Sequence, residues 1–187
     1  MNKPLAFAAL VLALAAPAGA HMTPPVALAS EREAVTSLLS GSSRYFVREV
    51  RLSPAEKDAV RKQTGWSADD DYYRFYVGRG SDGNVVASAV LLTDFTIHGP
   101  VRAAIAIAPD GRVKGVALVE VTEETYSWVK PLLDGGFLQR FAGADPANAA
   151  KAVGGIENSM VRFYAGVIAG LVARASALYD VAISKAR

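Results

Sequence analysis

Five segments of the chain have the apolar patterning of β-strands. They are residues 44–52, 72–77, 85–92, 101–108 and 113–121. In the first segment Tyr45 and Val47 lie on one face and Phe46 and Arg48 on the other, which is a two-residue period. Pro109-Asp110-Gly111 is typical of a hairpin turn, since proline presets one turn dihedral and glycine supplies a positive one. The pattern therefore predicts a meander of antiparallel strands.

Helical patterning precedes, interrupts and follows these strands. One helix is predicted after Ser30, where Glu33 completes a capping box, and another after Ser53, with Pro54 at its first position. A long apolar helix is predicted over residues 159–184, and a helix interrupted at Pro131 over residues 128–141. The elements together predict an α+β fold, a mostly antiparallel sheet with packed helices, as a single domain over residues 21–187.

The N-terminal segment has the three parts of a secretory signal peptide. Lys3 is the only charged residue among residues 1–20, an apolar run follows it, and Ala18-Gly19-Ala20 offers small residues for cleavage. The apolar run is shorter than the roughly 20 residues that span a membrane. We therefore expect residues 1–20 to be removed, residues 21–27 to form an extended leader, and the protein to reside in a bacterial periplasm.

The composition excludes several classes of function. The chain has no cysteine, so disulfides, thiol catalysis and cysteine-based metal sites are excluded. Twenty basic and eighteen acidic residues are dispersed along the chain, and a net charge of +2 disfavours nucleic acid as a partner. The apolar segment near the C terminus carries Arg162 and Arg174, so we expect no stable membrane span.

Several short pieces occur in a characteristic order along the chain. They include Phe75-Tyr76-Val77-Gly78, the hairpin of residues 105–116, Glu123-Glu124-Thr125-Tyr126 and residues 137–143. In this order, residues 44–180 resemble the periplasmic FMN-binding domains, which are related to the flavin subunits of sodium-pumping and Rnf-type electron-transfer complexes. The resemblance implies an FMN-binding-domain-like fold, FMN as cofactor, and a role in electron transfer or as a redox accessory.

The family's flavin-attachment motif departs from its usual form in this chain. In the family, Ser-Gly-Ala-Thr precedes the last helix, and its threonine is joined to the FMN phosphate. The matching stretch here is Gly154-Gly155-Ile156-Glu157, followed by Asn158-Ser159. A helix N-terminus attracts phosphate, but Glu157 has no hydroxyl and its carboxylate repels a phosphate. The resemblance therefore implies that any FMN is held without a covalent bond.

The same resemblance places a flavin, or another flat ligand, between two segments of the chain. The candidate residues are Glu124, Thr125 and Trp128 in one segment, and Gly154, Gly155, Glu157, Asn158 and Ser159 in the other. Each segment also has a purely structural interpretation. Residues 157–159 are types that cap helices, residues 123–125 suit a solvated loop after a strand, and an aromatic such as Trp128 more often belongs to a core.

Three functional hypotheses remain open at this point. The first is an electron-transfer or redox-accessory module with non-covalent FMN, and the second is a flavin-free binding or assembly module of an envelope redox complex. The third is haem or copper binding through His21 and His98, the two histidines of the chain. No pairing of a nucleophile with a base is visible in the sequence, so an accessory protein is favoured over an enzyme.

Overall fold

A six-stranded antiparallel sheet forms the centre of the structure. The computed structural model describes residues 23–184. The strands are β1 (Pro25–Ala27), β2 (Arg44–Val50), β3 (Tyr73–Arg79), β4 (Val85–Thr96), β5 (Gly99–Ile107) and β6 (Val113–Thr122). Their order across the sheet is β1-β6-β5-β4-β3-β2, so β2 to β6 form a meander and β1 closes its far edge.

Helices pack on both sides of this sheet. The α-helices are α1 (Glu31–Leu38), α2 (Pro54–Thr64), α3 (Glu123–Asp134) and α4 (Ser159–Ala182), and two 3₁₀-helices span Phe137–Phe141 and Pro146–Val153. The predicted α+β fold with a mostly antiparallel sheet is confirmed. The predicted signal peptide, residues 1–20, and His21 lie outside the described residues.

One face of the sheet, here called the helical face, carries the main core. Phe75, Ile105 and Ile107 pack there in one buried cluster with Ile168 and Leu171 of α4. Helices α2 and α3 and both 3₁₀-helices add buried side chains to the same cluster. Burial of each large apolar side chain contributes about 1.5–3 kcal/mol, so this face is the main source of stability.

The opposite face, here called the α1 face, has a thinner cover. Helix α1 lies over β4, β5 and β6. Its residues Val35 and Leu39 pack on Ala87, Ala89 and Ala106. The small side chains on this face let the short helix approach the sheet closely.

Both predicted capping boxes are present. In α1 the Ser30 hydroxyl accepts from the backbone N–H of Glu33 at 3.1 Å, and the Glu33 carboxylate accepts from the Ser30 N–H at 2.9 Å. In α2 the same exchange joins Ser53 and Glu56 at 3.3 and 2.8 Å. Each helix therefore begins where the sequence predicts.

Strand β2 is formed as predicted, but its apolar side chains are not buried. Tyr45 and Val47 expose 53% and 57% of their surface, and Phe46 is exposed on the other face. Among residues 23–184, the strand lies at the edge of the sheet and pairs with β3 alone. The alternation of its residues therefore does not mark a core position.

Two connecting segments are more regular than the sequence suggests. Within the predicted extended leader, Pro25, Val26 and Ala27 pair with Thr122, Val121 and Glu120 of β6. Residues 123–125 do not form a solvated loop, because Thr122 caps α3 by accepting from the backbone N–H of Thr125 at 3.2 Å. The expectation of a loop at residues 123–125 is therefore wrong.

The expected break at Pro131 is also absent from α3. The helix runs from Glu123 to Asp134 without interruption. Pro131 is exposed in the last turn, where proline removes a single intrahelical hydrogen bond near the end of the helix. Gly135 is the C-cap of the helix.

Helix α4 is long and apolar enough to cross a membrane by length and composition alone, with a mean hydropathy of 1.4 in its most apolar window. Over half of that window is buried inside the protein. A core helix meets the same composition criterion, so composition is weak evidence for a span. The packing of Tyr164, Ile168, Leu171 and Leu178 in the main core accounts for the apolar character.

Candidate functional site

The first turn of α3 meets the tip of the β4–β5 hairpin. The Thr122 hydroxyl donates to the backbone carbonyl of His98 at 2.7 Å. Gly99 permits this approach, because its φ is +102° and a Cβ there would lie 2.4 Å from the Thr122 methyl group. Strand β6, helix α3 and the hairpin tip therefore form one rigid corner of the molecule.

His98 is held by two side chains of α3. Its Nδ1 lies 2.9 Å from Oε1 of Glu124. Its ring packs on Trp128 at a centroid distance of 4.9 Å, tilted by 58°. His98 lies in the turn between β4 and β5, and a carboxylate and an indole of α3 are its side-chain neighbours.

Trp128 also packs on α4. Its ring stacks on Tyr164 at 5.6 Å with an interplanar angle of 10°. The Tyr164 hydroxyl accepts from the buried Thr125 hydroxyl at 3.2 Å and lies 3.5 Å from that of Thr96. The alternative in which Trp128 joins the core is therefore the one that its contacts favour.

The five side chains His98, Glu124, Thr125, Trp128 and Tyr164 are called the corner cluster below. They come from the hairpin tip, the start of α3 and the second turn of α4. Glu124, Thr125 and Trp128 were predicted as flavin-site residues and His98 as a haem or copper ligand, whereas Tyr164 was not predicted to belong to a site. The structure brings the three predicted α3 residues together with His98 and Tyr164 in one cluster.

The partners of His98 come from a different element of the chain, which is why sequence spacing did not find them. His98 lies in the turn between β4 and β5, whereas Glu124 and Trp128 lie on α3. The register of β5 and β6 also shifts at two irregularities, so that Ile107 pairs with Val113 but Arg102 pairs with Glu120. A hairpin prediction does not include such shifts.

The second predicted half-site lies at the start of α4. Asn158 is the N-cap, and its side-chain oxygen accepts from the backbone N–H groups of Met160 and Val161, both at 3.0 Å. Glu157 and Ser159 are exposed. The helix-capping interpretation is therefore confirmed for Asn158, which occupies N–H groups that a phosphate would need.

Two arginines fix the turn before α4. Arg140 donates to the carbonyls of Ala152 and Gly154 at 2.9 and 3.3 Å. Arg162 donates to the carbonyl of Ile156. Gly155 has a φ of +80°, a conformation that favours glycine. The turn is thus built from backbone carbonyls and arginines.

The two predicted half-sites are not joined in the structure. Among residues 23–184, no hydrogen bond, ion pair or ring contact links Glu157, Asn158 or Ser159 to Glu124 or Trp128. Five clefts of about 360–420 Å³ are found elsewhere on the surface, and none of these five is lined by a predicted site residue.

These residues do not fit a phosphoester-linked FMN. The position of the attachment threonine holds Glu157, and the neighbouring N–H donors are bonded to Asn158. For haem or metal, the described residues contain no group of three or more histidine, aspartate or glutamate side chains that could hold a metal ion. His98 is engaged by Glu124, and the suggested second ligand, His21, lies outside the described residues.

Large apolar side chains are exposed beside the corner cluster. Phe95 and Ile97, at the hairpin tip, expose 81% and 93% of their surface. Phe163 exposes 49% and packs edge-on against Tyr164 at 5.1 Å. Sequence patterning assigned no role to these three residues, because isolated apolar residues near a turn are indistinguishable from ordinary surface residues.

No family model matches this chain. A search of curated proteins likewise found none that matches it.

Proposed function

We propose that this protein is an exported, flavin-free relative of the FMN-binding domains that serves as a binding module for a redox protein of the cell envelope. The single observation that carries the proposal is the exposure of Phe95 and Ile97 at a rigid tip beside the corner cluster. Exposed large apolar residues at one position mark a surface for association. The proposal rests on three further arguments.

The first argument concerns the phosphate. Glu157 places a carboxylate at the start of α4, and Asn158 satisfies the N–H groups of that helix. Transfer of FMN to the chain needs a hydroxyl at residue 157, and binding of free FMN needs donors for its dianionic phosphate. Glu157 supplies no hydroxyl for the first requirement, and Asn158 occupies the N–H donors that the second requires.

The second argument concerns the aromatic surface that a flavin would use. Trp128 already stacks on Tyr164 and contacts His98. A flat ligand on the indole has to compete with these packed rings. The same contacts stiffen the corner, and a preorganised surface loses less entropy when a partner binds.

The third argument concerns the partner's chemistry. The apolar tip has exposed carboxylates beside it, since Glu123 and Glu124 begin α3. We therefore infer a partner surface with an apolar centre and basic residues at its rim, because such charges steer the encounter and exclude wrong partners. An anionic membrane surface is disfavoured by the same carboxylates.

Non-covalent FMN is the second candidate function. It is favoured by the grouping of Glu124, Thr125 and Trp128 in a single helical turn, since that segment lines the flavin site in the family that the chain resembles. The absorption spectrum of the protein purified from its own periplasm distinguishes the two candidates. A colourless protein is expected under our proposal. Flavin bands that leave with the supernatant after acid precipitation would support the second candidate.

The binding surface is tested by photo-crosslinking in cells. A photoreactive amino acid at Ile97 is expected to crosslink to an envelope redox protein. The control places it at Tyr72, an exposed aromatic at the start of β3. If both positions give the same products, or if position 97 crosslinks to no redox protein, the tip is not the docking surface and the proposal is wrong.

A further inference from the structure

Strand β2 is an open edge with unusual features. All residues from Arg44 to Glu49 are exposed. The strand has seven residues and lacks proline and bulges, which are devices that natural proteins use to protect an edge. Its charged residues are Arg44, Arg48 and Glu49. Its backbone therefore offers a row of unpaired hydrogen-bonding groups to another strand.

The opposite edge of the same sheet is protected. Strand β1 has three residues, and Pro24 and Pro25 stand at its start. Proline has no N–H to donate to a neighbouring strand. The β1 edge is therefore protected by prolines, whereas the β2 edge has none. Strand β2 is the edge that can pair with another strand.

We propose that β2 pairs with β2 of a second copy, which joins two sheets into one of twelve strands. The twofold axis stands perpendicular to the sheet at Val47. The proposal concerns an edge far along the sheet from the corner cluster, and it does not depend on the proposed function.

The register follows from symmetry and charge. In a twofold antiparallel pair each residue faces its counterpart across a fixed centre. Centred on Val47, all seven residues of β2 pair, with Phe46 opposite Arg48 and Tyr45 opposite Glu49 of the second copy. Arg44 then lies opposite Val50. No two like charges lie opposite each other in this register, and the Arg48 guanidinium faces the aromatic ring of Phe46 across the interface.

The neighbouring symmetric registers are unfavourable. Centred on Phe46, the pair sets Arg44 opposite Arg48. Centred on Arg48 or on Glu49, it sets like charges opposite each other at the axis itself. Like charges directly opposite one another destabilise a sheet, and registers centred nearer the ends of β2 pair fewer of its residues. The register centred on Val47 pairs all seven residues of β2 without placing like charges opposite each other.

The surrounding structure is compatible with this pairing. Val47 pairs with Tyr76 of β3 within one chain, so the dimer sets Tyr76, Val47 and the second copy's Val47 and Tyr76 in one row on the α1 face. Glu49 is already fixed by Arg74 at 2.9 Å, which positions its carboxylate for the Tyr45 hydroxyl of the second copy. In the described part of the chain no helix covers the edge, since Arg44 to Glu49 are exposed.

The first experiment is sedimentation velocity over a range of concentrations of the purified exported protein. A seven-residue strand pair lies at the small end of specific interfaces, so we expect dissociation in roughly the micromolar range. The average mass is expected to rise from one chain to two. Val47→Lys is expected to abolish this rise without unfolding the chain, because it sets two ammonium groups at the axis and Val47 is largely exposed.

The second experiment uses disulfide trapping, which is clean in a chain without cysteine. In the proposed register two Val47 residues have Cα atoms about 4.5–5.5 Å apart, within the range of a disulfide. Oxidised Val47→Cys is expected to form dimers on the order of tenfold faster than Tyr45→Cys. Tyr45 is the matched control, since it shares the strand, the face and the exposure but lies about four residues from its counterpart.

A monomer at several hundred micromolar overturns the proposal. Equal crosslinking of Val47→Cys and Tyr45→Cys overturns it too, because then no fixed register exists. A mixture of Phe46→Cys with Arg48→Cys gives a further check: the mixed disulfide is expected, and faster formation of either homodimer contradicts the assigned register.

Discussion

The two faces of the sheet differ in depth of packing. The helical face is covered by three α-helices and two 3₁₀-helices and buries large side chains such as Phe75, Ile105 and Leu171. The α1 face is covered by a helix of eight residues that packs on alanines. The comparison shows that the two faces have different roles. Packing on the helical face provides most of the stability of the fold, whereas the α1 face leaves parts of β2 and β3 exposed to solvent.

The largest expected change in stability comes from substituting two adjacent residues of β3, one on each face. Phe75 is fully buried on the helical face, while Tyr76 is half-buried on the α1 face. Phe75→Ala is expected to lower the free energy of unfolding by about 3–5 kcal/mol. Tyr76→Ala is expected to lower it by only about 1 kcal/mol. Urea unfolding followed by circular dichroism measures both, and equal losses would contradict the difference between the faces.

Overpacking tests the close approach of α1. Ala106 is fully buried beneath Val35 and Leu39. Ala106→Leu is expected to destabilise the protein by about 1–3 kcal/mol, because the added atoms displace the helix. Hydrogen exchange should show the loss of protection concentrated in α1. If protection falls equally in α4, the two faces do not respond independently.

The two capping boxes permit a matched comparison of the two helices, with a smaller expected loss of stability. Ser30→Ala in α1 and Ser53→Ala in α2 each remove a cap worth about 1 kcal/mol. We expect the loss to appear as local fraying of α1 in the first variant and as global destabilisation in the second, since α2 belongs to the main core through Val60. Hydrogen exchange of the two helices distinguishes these outcomes, and global destabilisation by both variants would contradict the comparison.

The stability that the Ser30 cap contributes is expected to depend on pH. Hydrogen bonds from the Ser30 side chain, and then from its backbone, lower the pKa of Glu33 below its usual value. A lowered folded-state pKa contributes stability above the unfolded pKa and loses it as pH falls through the folded pKa. The penalty of Ser30→Ala should therefore be larger at neutral pH than in acid below that range, as measured by thermal unfolding at both pH values. A penalty that grows in acid would contradict the assignment.

The smallest change in stability at neutral pH is expected from the substitution Tyr73→Phe on the helical face. Burial, and then the charge of Asp70, raise the pKa of the Tyr73 hydroxyl to about 12, while the nearby Asp70 backbone opposes this only in part. The hydroxyl has no partner of hydrogen-bonding geometry among the described residues. Tyr73→Phe should therefore be nearly neutral at pH 7.

At alkaline pH the stability of Tyr73→Phe is expected to differ from that of the parent protein. A raised folded-state pKa gives stability that is present below the unfolded pKa of about 10 and lost as pH rises through about 12. Tyr73→Phe should lose less stability than the parent over this window, measured by urea unfolding at pH 9 and pH 11.5. Identical losses would show that Tyr73 does not titrate with folding.

Much of the fold could be predicted from the sequence, because its signals are local. Caps at Ser30 and Ser53, the turn at Asp110-Gly111 and the period of β2 act within a few residues. Strand β1 could not be predicted in this way. Its three residues have no period of their own, and they become a strand only because β6 offers an edge to pair with.

The candidate site was predicted less completely, for a similar reason. Thr125 and Trp128 were identified through a resemblance, but their contacts depend on where the β4–β5 turn places His98 and where α4 places Tyr164. These positions are set by packing across the whole domain. The sequence patterning of α4 predicted a core helix but did not indicate which of its aromatics meets α3.

The pairing of β1 with β6 has a consequence for how the molecule assembles. Strands β2 to β6 join neighbours in the chain, so hairpins of low loop-closure cost can build that part of the sheet step by step. As the chain is synthesised, β1 must instead wait for β6, since Pro25 has no partner until Thr122 has been made. The chain therefore cannot complete its sheet until residue 122 has been synthesised, and β1 stays unpaired until then.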